Sequence, residues 1–541
     1  MCGLSTTPPV SPMSALRHPL VHPFSGWDVP RLLQSRAATR PDHPFIVWVP
    51  FEGESQAWTF AAFRDRVRRL GAGLLARGIG PGDFVLIHLD NCPEIILAWY
   101  ACAEIGAVAV TTNARSSSDE LNYFAGHCGA VAAITQPSMA ELVNRSAPDL
   151  KWLAVTAHDN GAAPAAGQAP DAASSFTALD GDPGTIPERP ADPMAPVGVQ
   201  YTSGTTSRPK GVLWTHANAL WGARINALHQ DLRADDVHLC TLPLFHTNAQ
   251  AYSVLSTLWA GGTCVVQPRW STSRFWQVSL DHRCTWTSMV WFCLCALEGA
   301  EAPASHHYRL WGNGFCEPPS DERFGVKTIG WWGMTETMSH GIVGDVHHPN
   351  RSLAIGKPAP EYGIAILRPD GSPVAPGETG GLKVLGVPGL SLFKEYLHNP
   401  EATAATYDDQ GWFDTGDQVT LHEDGFISFA DRDKDMLKVG GENVAASEVE
   451  RVIMELPEAA EVAVVAKKHE MLDEVPVAFV LVEGGLEGAA PDLAETVLAA
   501  CREKLADFKV PREVHLVDSL PRSTLEKIAK AELRARLETE V

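Results

Sequence analysis

The sequence predicts an α/β protein, a large N-terminal domain of layered, partly parallel sheets with helices plus a β-rich subdomain, followed by a small α+β C-terminal domain. Three observations carry that prediction. Between residues 84 and 135 short β-prone runs alternate with helical patterns, the order expected of a parallel sheet covered by helices. Around 364–367 and 382–385 the apolar runs are short and punctuated by Gly and Pro, which reads as β structure joined by turns. From about residue 432 charge density rises and short strands alternate with helices, so the expected division is 1–431 and 432–541.

Taken in order, 45–49 and 56–60 are β-prone runs about the turn-like Glu52-Gly53-Glu54, a hairpin signal. Over 61–77 Phe63, Val67, Leu70 and Leu74 recur at helical spacing, and Gly78 and Gly80-Pro81-Gly82 end the pattern. A strand at 84–88, a helix at 94–105, a strand at 107–111, a helix at 118–124 and a strand at 130–135 follow. The stretch 157–196 is rich in Ala, Pro, Gly, Asp and Ser without periodicity and reads as a surface excursion. Strands are expected at 237–241 and 264–267 with a helix over 249–259 between them, and 308–311 is strand-like. In the last part, helices at 446–455 and 491–504 alternate with strands at 462–466 and 477–481.

A chain of 541 residues is too long for one core. Its 43 basic and 65 acidic residues give a net charge of −22, so the surface as a whole repels nucleic acid and anionic membrane, and an anionic ligand needs a local pocket. Eleven cysteines without a C-x-x-C pair suggest free thiols in a reducing, cytoplasmic setting and argue against a zinc site. The N-terminal stretch lacks the charged start and apolar centre of a secretory signal. The apolar stretches 95–110 and 286–297 are shorter than a membrane span and read as core.

The most informative stretch is YTSGTTSRPKGV at 201–212. Ser and Thr compete for backbone hydrogen bonds and Gly adds entropy to be lost, so this run reads as a loop. Free N–H groups, hydroxyls and a lysine suit a polyphosphate. The NTPase pattern G-x-x-x-x-G-K-[ST] fails here, because Pro209 precedes Lys210 and Gly211 and Val212 follow it. A surface loop that happens to be rich in Ser and Thr is the alternative.

Four further clusters decide between these: GWWGMTET at 330–337, GWFDTGD at 411–417, DRDKDMLKVGGENVAASEVE at 431–450 and LPRSTLEKIAK at 520–530. Together with the 201–212 run, and in this order, they resemble the adenylate-forming superfamily of acyl-CoA synthetases, luciferases and nonribosomal-peptide adenylation domains. The resemblance covers about 30–535. TSGTTSRPKG, FKEYLHNPEATA at 393–404 and GGENV are most similar to acyl-CoA ligases of the carnitine/crotonobetaine-CoA ligase type.

That resemblance implies an ATP-, Mg2+- and CoA-dependent enzyme. A carboxylic acid would attack the α-phosphate of ATP to give acyl-AMP and pyrophosphate, and a thiol would then displace AMP. It assigns the β- and γ-phosphates to Thr202, Ser203, Gly204, Thr205, Thr206 and Lys210, with Ser207 where most relatives have glycine. Glu336, beside Thr335, is the expected Mg2+ ligand, a hard oxygen donor for a hard ion. Trp332, followed by Gly333, stands where relatives stack Tyr or Phe on adenine, and Gly312, Asn313 and Gly314 would form the other wall. Asp417 would accept both ribose hydroxyls, with Arg432 nearby. Lys527 would neutralise charge at the α-phosphate, here preceded by Glu526 where the family usually has glycine. Lys434 falls at the family hinge of a mobile C-terminal domain, and Lys438, Gly440, Gly441 and Glu442 would form the CoA hairpin.

His246, in LPLFHTN, falls at a family position lining the acyl pocket. The pairs His306-His307 and His347-His348 have no evident third metal ligand. Trp286, Trp291, Phe292, Trp311, Phe315 and Trp331 cluster in segments that line the acyl site in relatives. They read equally as core filler and as the lining for a bulky alicyclic, aromatic or terpenoid-like acid, while aromatic faces would also suit a trimethylammonium acid. The alternatives to a CoA ligase are an enzyme that loads an acyl carrier protein or stops at acyl-AMP, and a catalytically weak nucleotide-binding relative.

Overall fold

The computed structural model describes residues 21–163, 173–202, 209–432, 436–483, 485–486, 490–521 and 528–539. Among these residues the strands form four sheets. One runs, edge to edge, Glu395–Tyr396, Lys210–Thr215, Pro196–Thr202, Val108–Thr111, Phe84–His88, Ala132–Thr135, Leu153–Val155 and Ser174–Ser175. Its centre is parallel, as the strand–helix alternation requires, and Lys210–Thr215 and Glu395–Tyr396 close one side antiparallel.

A second sheet has parallel neighbours Thr328–Trp332, Leu310–Asn313, Trp286–Ser288, Val237–Cys240, Thr263–Val266 and Pro44–Trp48, extended by antiparallel strands at both edges. Gly312 and Asn313 are thus the last residues of a strand rather than the loop after one. The helix Pro93–Ile105 is buried on nearly every face, as its apolar composition demands. The β-rich region is a four-stranded antiparallel sheet, Gly363–Leu367, Thr379–Leu385, Trp412–Leu421 and Ile427–Arg432.

The fourth sheet is built on the long antiparallel pair Ala459–His469 and Asp473–Val482; the free edge of Asp473–Val482 takes Met436–Val439, itself paired with Glu442–Ala445, at its start and Glu513–Val517 in parallel further along. Helices Ala446–Met454 and Leu493–Lys504 give it a core of its own, including Leu437, Val449, Val464, Val480 and Val497. A large N-terminal part and a small C-terminal domain result.

Three local expectations change. Helix Ser118–Cys128 outlasts its apolar pattern, because Ser117 and Glu120 form a capping box at its start and Gly129 ends it in the left-handed region at φ 64°. The helix expected over 249–259 begins as eight residues of π-helix, Asn248–Leu255, and continues as Ser256–Ala260. Residues 173–189 pack rather than loop outward: a Cβ on Gly73 would lie 1.2 Å from the Leu179 carbonyl oxygen, Arg66 pairs with Asp180, and Arg68 donates to the Pro183 carbonyl at 3.1 Å. No helix among the described residues is long and apolar enough to cross a membrane.

Candidate active site

The strands on either side of the Ser/Thr run form an antiparallel pair. Thr202 ends one strand and Lys210 begins the next, paired Thr202 to Lys210 and Tyr201 to Gly211, so the ends of the expected loop are strand. Ser203, Gly204, Thr205, Thr206 and Ser207 lie outside the described residues, as do Lys434, Glu526 and Lys527.

The short strand Glu395–Tyr396 joins this hairpin in register, Tyr396 opposite Val212, and thereby brings three distant residues together. Lys210 Nζ lies 4.4 Å from the centroid of the Tyr396 ring, a cation–π contact. The Tyr396 hydroxyl donates to Glu336 Oε1 at 2.8 Å, and the Phe393 N–H donates to the Glu336 carbonyl at 2.7 Å. Trp214 Nε1–H donates to the Thr335 carbonyl at 2.9 Å. Glu336 is buried. Burial and then the Glu336 charge hold the Tyr396 and Tyr407 hydroxyls firmly protonated. Tyr396 was missed from sequence, although it lies in a run whose wording carried the resemblance.

On the next element, Trp332 Nε1–H donates to Asp417 Oδ2 at 2.8 Å. Asp417 is buried in strand Trp412–Leu421, opposite Arg432 in register; the side chain of Arg432 lies outside the described part. One face of Trp332 meets Gly341, whose added Cβ would lie 2.9 Å from Cζ3. Asn313, 2% exposed, accepts the Gly314 N–H at Oδ1 (2.6 Å), whereas its Nδ2 has no hydrogen-bond partner among the described residues. A buried amide donor left unsatisfied is a cost that a ligand acceptor removes. Gly333 admits no side chain: a Cβ there would lie 2.4 Å from the Tyr252 hydroxyl and 2.6 Å from the Ser339 carbonyl oxygen.

Trp331 points the other way from its neighbour, as alternation along a strand dictates. It is stacked on His340 (4.5 Å, 9°) and on Trp286 (5.9 Å, 4°), and a Cβ on Gly312 would lie 1.6 Å from its Cη2. His340 is buried with neither ring nitrogen hydrogen-bonded among the described residues, and burial pushes its pKa well down, so it is neutral. The expected aromatic cluster therefore divides. Trp286 and Trp311 are fully buried, Trp311 among Phe275, Trp276, Tyr308 and Phe324. Trp291, 40% exposed, meets Phe315 edge-on at 5.3 Å.

The Gly-rich hairpin of the small domain reaches the same region. Gly440 and Gly441 form its turn at φ 60° and 90°, as a two-residue hairpin loop requires. The Cβ position of Gly441 lies 3.4 Å from Val290 Cγ2. Glu442 Oε2 lies 2.7 Å from His246 Nε2 and accepts from Asn113 Nδ2 at 3.3 Å. Burial is the largest single influence on the His246 pKa and lowers it, but the Glu442 charge and hydrogen bond together raise it by more, to above 6.5; the side chain is 40% exposed. Burial raises the pKa of Glu442, while His246 first and then Arg115 and Lys509 bring it below 4.5. Lys438 Nζ lies 4.8 Å from the Phe429 ring, and the Lys438 N–H donates to Glu474 at 2.7 Å. The paired histidines have local partners: His306 Nε2 is 2.8 Å from the Phe324 carbonyl oxygen, and His348 is 3.0 Å from Asp345.

A layered α/β part and a small α+β domain, meeting over a strand hairpin, a buried carboxylate and a glycine turn, have the layout of a two-domain enzyme. The chain belongs to the AMP-binding enzyme family, whose model matches residues 33–397, with the AMP-binding enzyme C-terminal domain at 448–527. It is 31% identical to the crotonobetaine/carnitine–CoA ligase of Salmonella agona over 526 residues, 94% of this chain and 99% of the relative. It superposes on a double mutant of o-succinylbenzoate CoA synthetase (MenE) of Bacillus subtilis, bound with the product analogue OSB-NCoA, with a TM-score of 0.80 at 25% identity, covering 94% and 99% of the two chains. On the same enzyme in complex with AMP the TM-score is 0.66 at 26% identity, covering 94% and 98%.

Proposed function

We propose that the chain is an AMP-forming acyl-CoA ligase in which one cleft serves two steps. In the first, a carboxylate oxygen attacks the α-phosphorus of ATP, the α–β anhydride bond breaks and pyrophosphate leaves. In the second, the sulfur of CoA attacks the acyl carbon, AMP leaves and the thiol proton is lost to solvent. Both steps join anions, so positioning and charge neutralisation carry the catalysis. The observation that carries this reading is the 2.7 Å contact of Glu442 with His246, which holds the glycine turn against the acyl side of the cleft.

The division of labour follows the family roles. Thr202 to Thr206 and Lys210 hold the outer phosphates. Lys210 is kept over the Tyr396 ring, 4.4 Å away, which directs its ammonium. Trp332, Gly333 and Gly312 to Gly314 border the adenine, with Asn313 Nδ2 offering a donor. Asp417 takes the ribose hydroxyls, oriented by the Trp332 N–H; a carboxylate oxygen has lone pairs for both partners. Arg432 assists at the ribose or phosphate, Lys527 serves the α-phosphate, and Lys434 is the hinge of a domain boundary at 431/432. A buried carboxylate beside a phosphate-type hairpin fits Mg2+, which Glu336 and Thr335 would hold. When bound, that ion neutralises phosphate charge.

Gly440 and Gly441 leave room for a pantetheine arm beside Val290, flanked by Lys438 and Glu442. The higher superposition on the OSB-NCoA complex of the double mutant than on the AMP complex supports an arrangement suited to thiol transfer. His246, Trp291, Phe315 and Trp331 bound the acyl group. With Trp286 and Trp311 committed to the core, the aromatic count no longer argues for a bulky acid.

The test is carboxylate-dependent exchange of pyrophosphate into ATP across fatty, aromatic, betaine and polycyclic acids, followed by thioester detection with free CoA and with a loaded carrier protein. Exchange and thioester with free CoA are expected. Thioester on the carrier alone would reassign the acceptor, and absence of exchange with every acid would leave a nucleotide-binding relative. Lys527→Ala should abolish exchange.

A further inference from the structure

Away from the cleft, the large and small domains meet around a buried cluster of three charges. The Lys509 ammonium is held by Glu120 Oε1 and by Glu448 Oε1, the latter at 3.0 Å, and all three residues are buried. Glu448 belongs to the small domain, on helix Ala446–Met454 immediately after the Glu442 hairpin. Glu120 belongs to the large domain, in the first turn of helix Ser118–Cys128, where its other oxygen accepts the Ser117 N–H at 2.7 Å. Beside the cluster, Ser117 Oγ donates to the Lys504 carbonyl at 2.8 Å, Arg115 pairs with Asp507, and the Arg115 guanidinium lies 4.8 Å from the centroid of the Phe508 ring.

Two carboxylates share one ammonium out of water, and burial foremost pushes the Glu448 carboxyl above its usual range. Were the domains apart, Glu120 would be hydrated and Lys509 would keep Glu448 as a one-to-one partner. Docking therefore buries a second carboxylate, which is tolerable only because the ammonium reaches both. The cluster also lies on the strand–helix unit that carries Glu442, so what fixes the helix fixes the hairpin that meets His246.

We infer that Lys509 is a positioning residue for thiol transfer, a charge clasp that lets Glu120 be buried and so holds the small domain with its glycine turn in the cleft. This rests on the reading of that turn as the thiol-side element.

Lys509→Met leaves two carboxylates facing each other, so the docked arrangement should lose population. Lys509→Met/Glu120→Gln removes one of them, through a change on the other domain. Two readouts are made on the full chain: thioester formation from preformed acyl-AMP and CoA, and amide hydrogen exchange of the segment 113–121 without substrates. Lys509→Met should slow thioester formation at least tenfold, leave pyrophosphate exchange within twofold of the unaltered protein, and raise amide exchange in 113–121. The double variant should regain most of both losses, and Lys509→Arg should stay near the starting values. Equal loss of both half-reactions, or no recovery in the double variant, overturns the clasp and makes Lys509 a fold residue of the small domain. If the unaltered protein makes no CoA thioester, the acceptor reading fails, whereas the amide-exchange comparison still decides the clasp: unchanged protection of 113–121 in Lys509→Met refutes it.

Discussion

Glu442 of the small domain places its Oε2 2.7 Å from Nε2 of His246 in the large domain, a contact between residues 196 positions apart that exists only while the glycine turn lies in the cleft. Glu442→Gln keeps the shape and removes the charge. Thioester formation should fall about five- to tenfold, the size of a charge-assisted hydrogen bond discounted for an imidazole that solvent still reaches, with pyrophosphate exchange unchanged. Equal loss in both half-reactions would refute a role confined to the second.

The same pair sets a pH dependence. His246 is raised above 6.5, so its contribution to docking is full below 6.5 and is lost as pH rises through the raised value. Glu442 is depressed below 4.5, so its contribution is full above 4.5 and is lost as pH falls through the lowered value. The docked arrangement is thus best supported between about pH 4.5 and 6.5. CoA thiolate rises with pH in the opposite sense, and dividing the rate of the unaltered protein by that of Glu442→Gln cancels it. That ratio of thioester rates should decline on the alkaline side; a flat ratio from pH 5.5 to 8.5 counts against the pair.

Trp332→Phe tests the other side of the cleft. An aromatic face survives, but the N–H that orients Asp417 at 2.8 Å is removed. The KM for ATP should rise about tenfold, the worth of one hydrogen bond to a buried carboxylate, with little change in the KM for the acid. A change confined to the acid would place Trp332 on the wrong substrate.

Tyr396→Phe keeps the ring beside Lys210 and removes the donor to Glu336. A metal titration of pyrophosphate exchange is expected to shift severalfold in Mg2+ while phosphate binding is retained. An unchanged Mg2+ midpoint would separate Glu336 from the ion.

Both faces of Trp331 are covered, by His340 and Trp286, and its edge lies over Gly312. The indole therefore occupies volume that a smaller residue would leave to the acyl group. Trp331→Ala should cost about 3–5 kcal/mol of stability, seen as a lower Tm. It should also shift the ratio of kcat/KM toward larger acids, and a preference that stays put would show that the acyl group lies elsewhere.

Much of this was legible before any coordinates. β-prone runs about a turn placed the hairpin at 45–60, alternation of strand and helix runs placed the sheet from 84 to 135, and helical spacing placed 61–77, because burial of one face imposes a period on the chain itself. The motifs brought Lys210, Glu336, Asp417 and Glu442 to attention through resemblance. What escaped was relational. Gly129 is a C-terminal stop signal that sequence alone could have given, and would have lengthened the helix at 118–124, whose start the Ser117-x-x-Glu120 capping signature fixes. Tyr396 could not be assigned, since its role comes from a two-residue strand that pairs with a hairpin almost two hundred residues earlier. Nor could the division of the tryptophans, because a tryptophan packed in a core and one at a ligand wall have the same local pattern.

The π-helical opening at Asn248–Leu255 bears on how this chain tolerates changes of length. Its hydrogen bonds span one residue more than those of an α-helix, so loss of a single residue there can be absorbed by relaxing to the tighter winding. The backbone would survive such a deletion, but Gln250 would rotate off Gln200, to which it is bonded at 2.6 Å, and Asn248 off Ser288, bonded at 2.7 Å. The surplus residue is thus dispensable for making a helix and needed for aiming one.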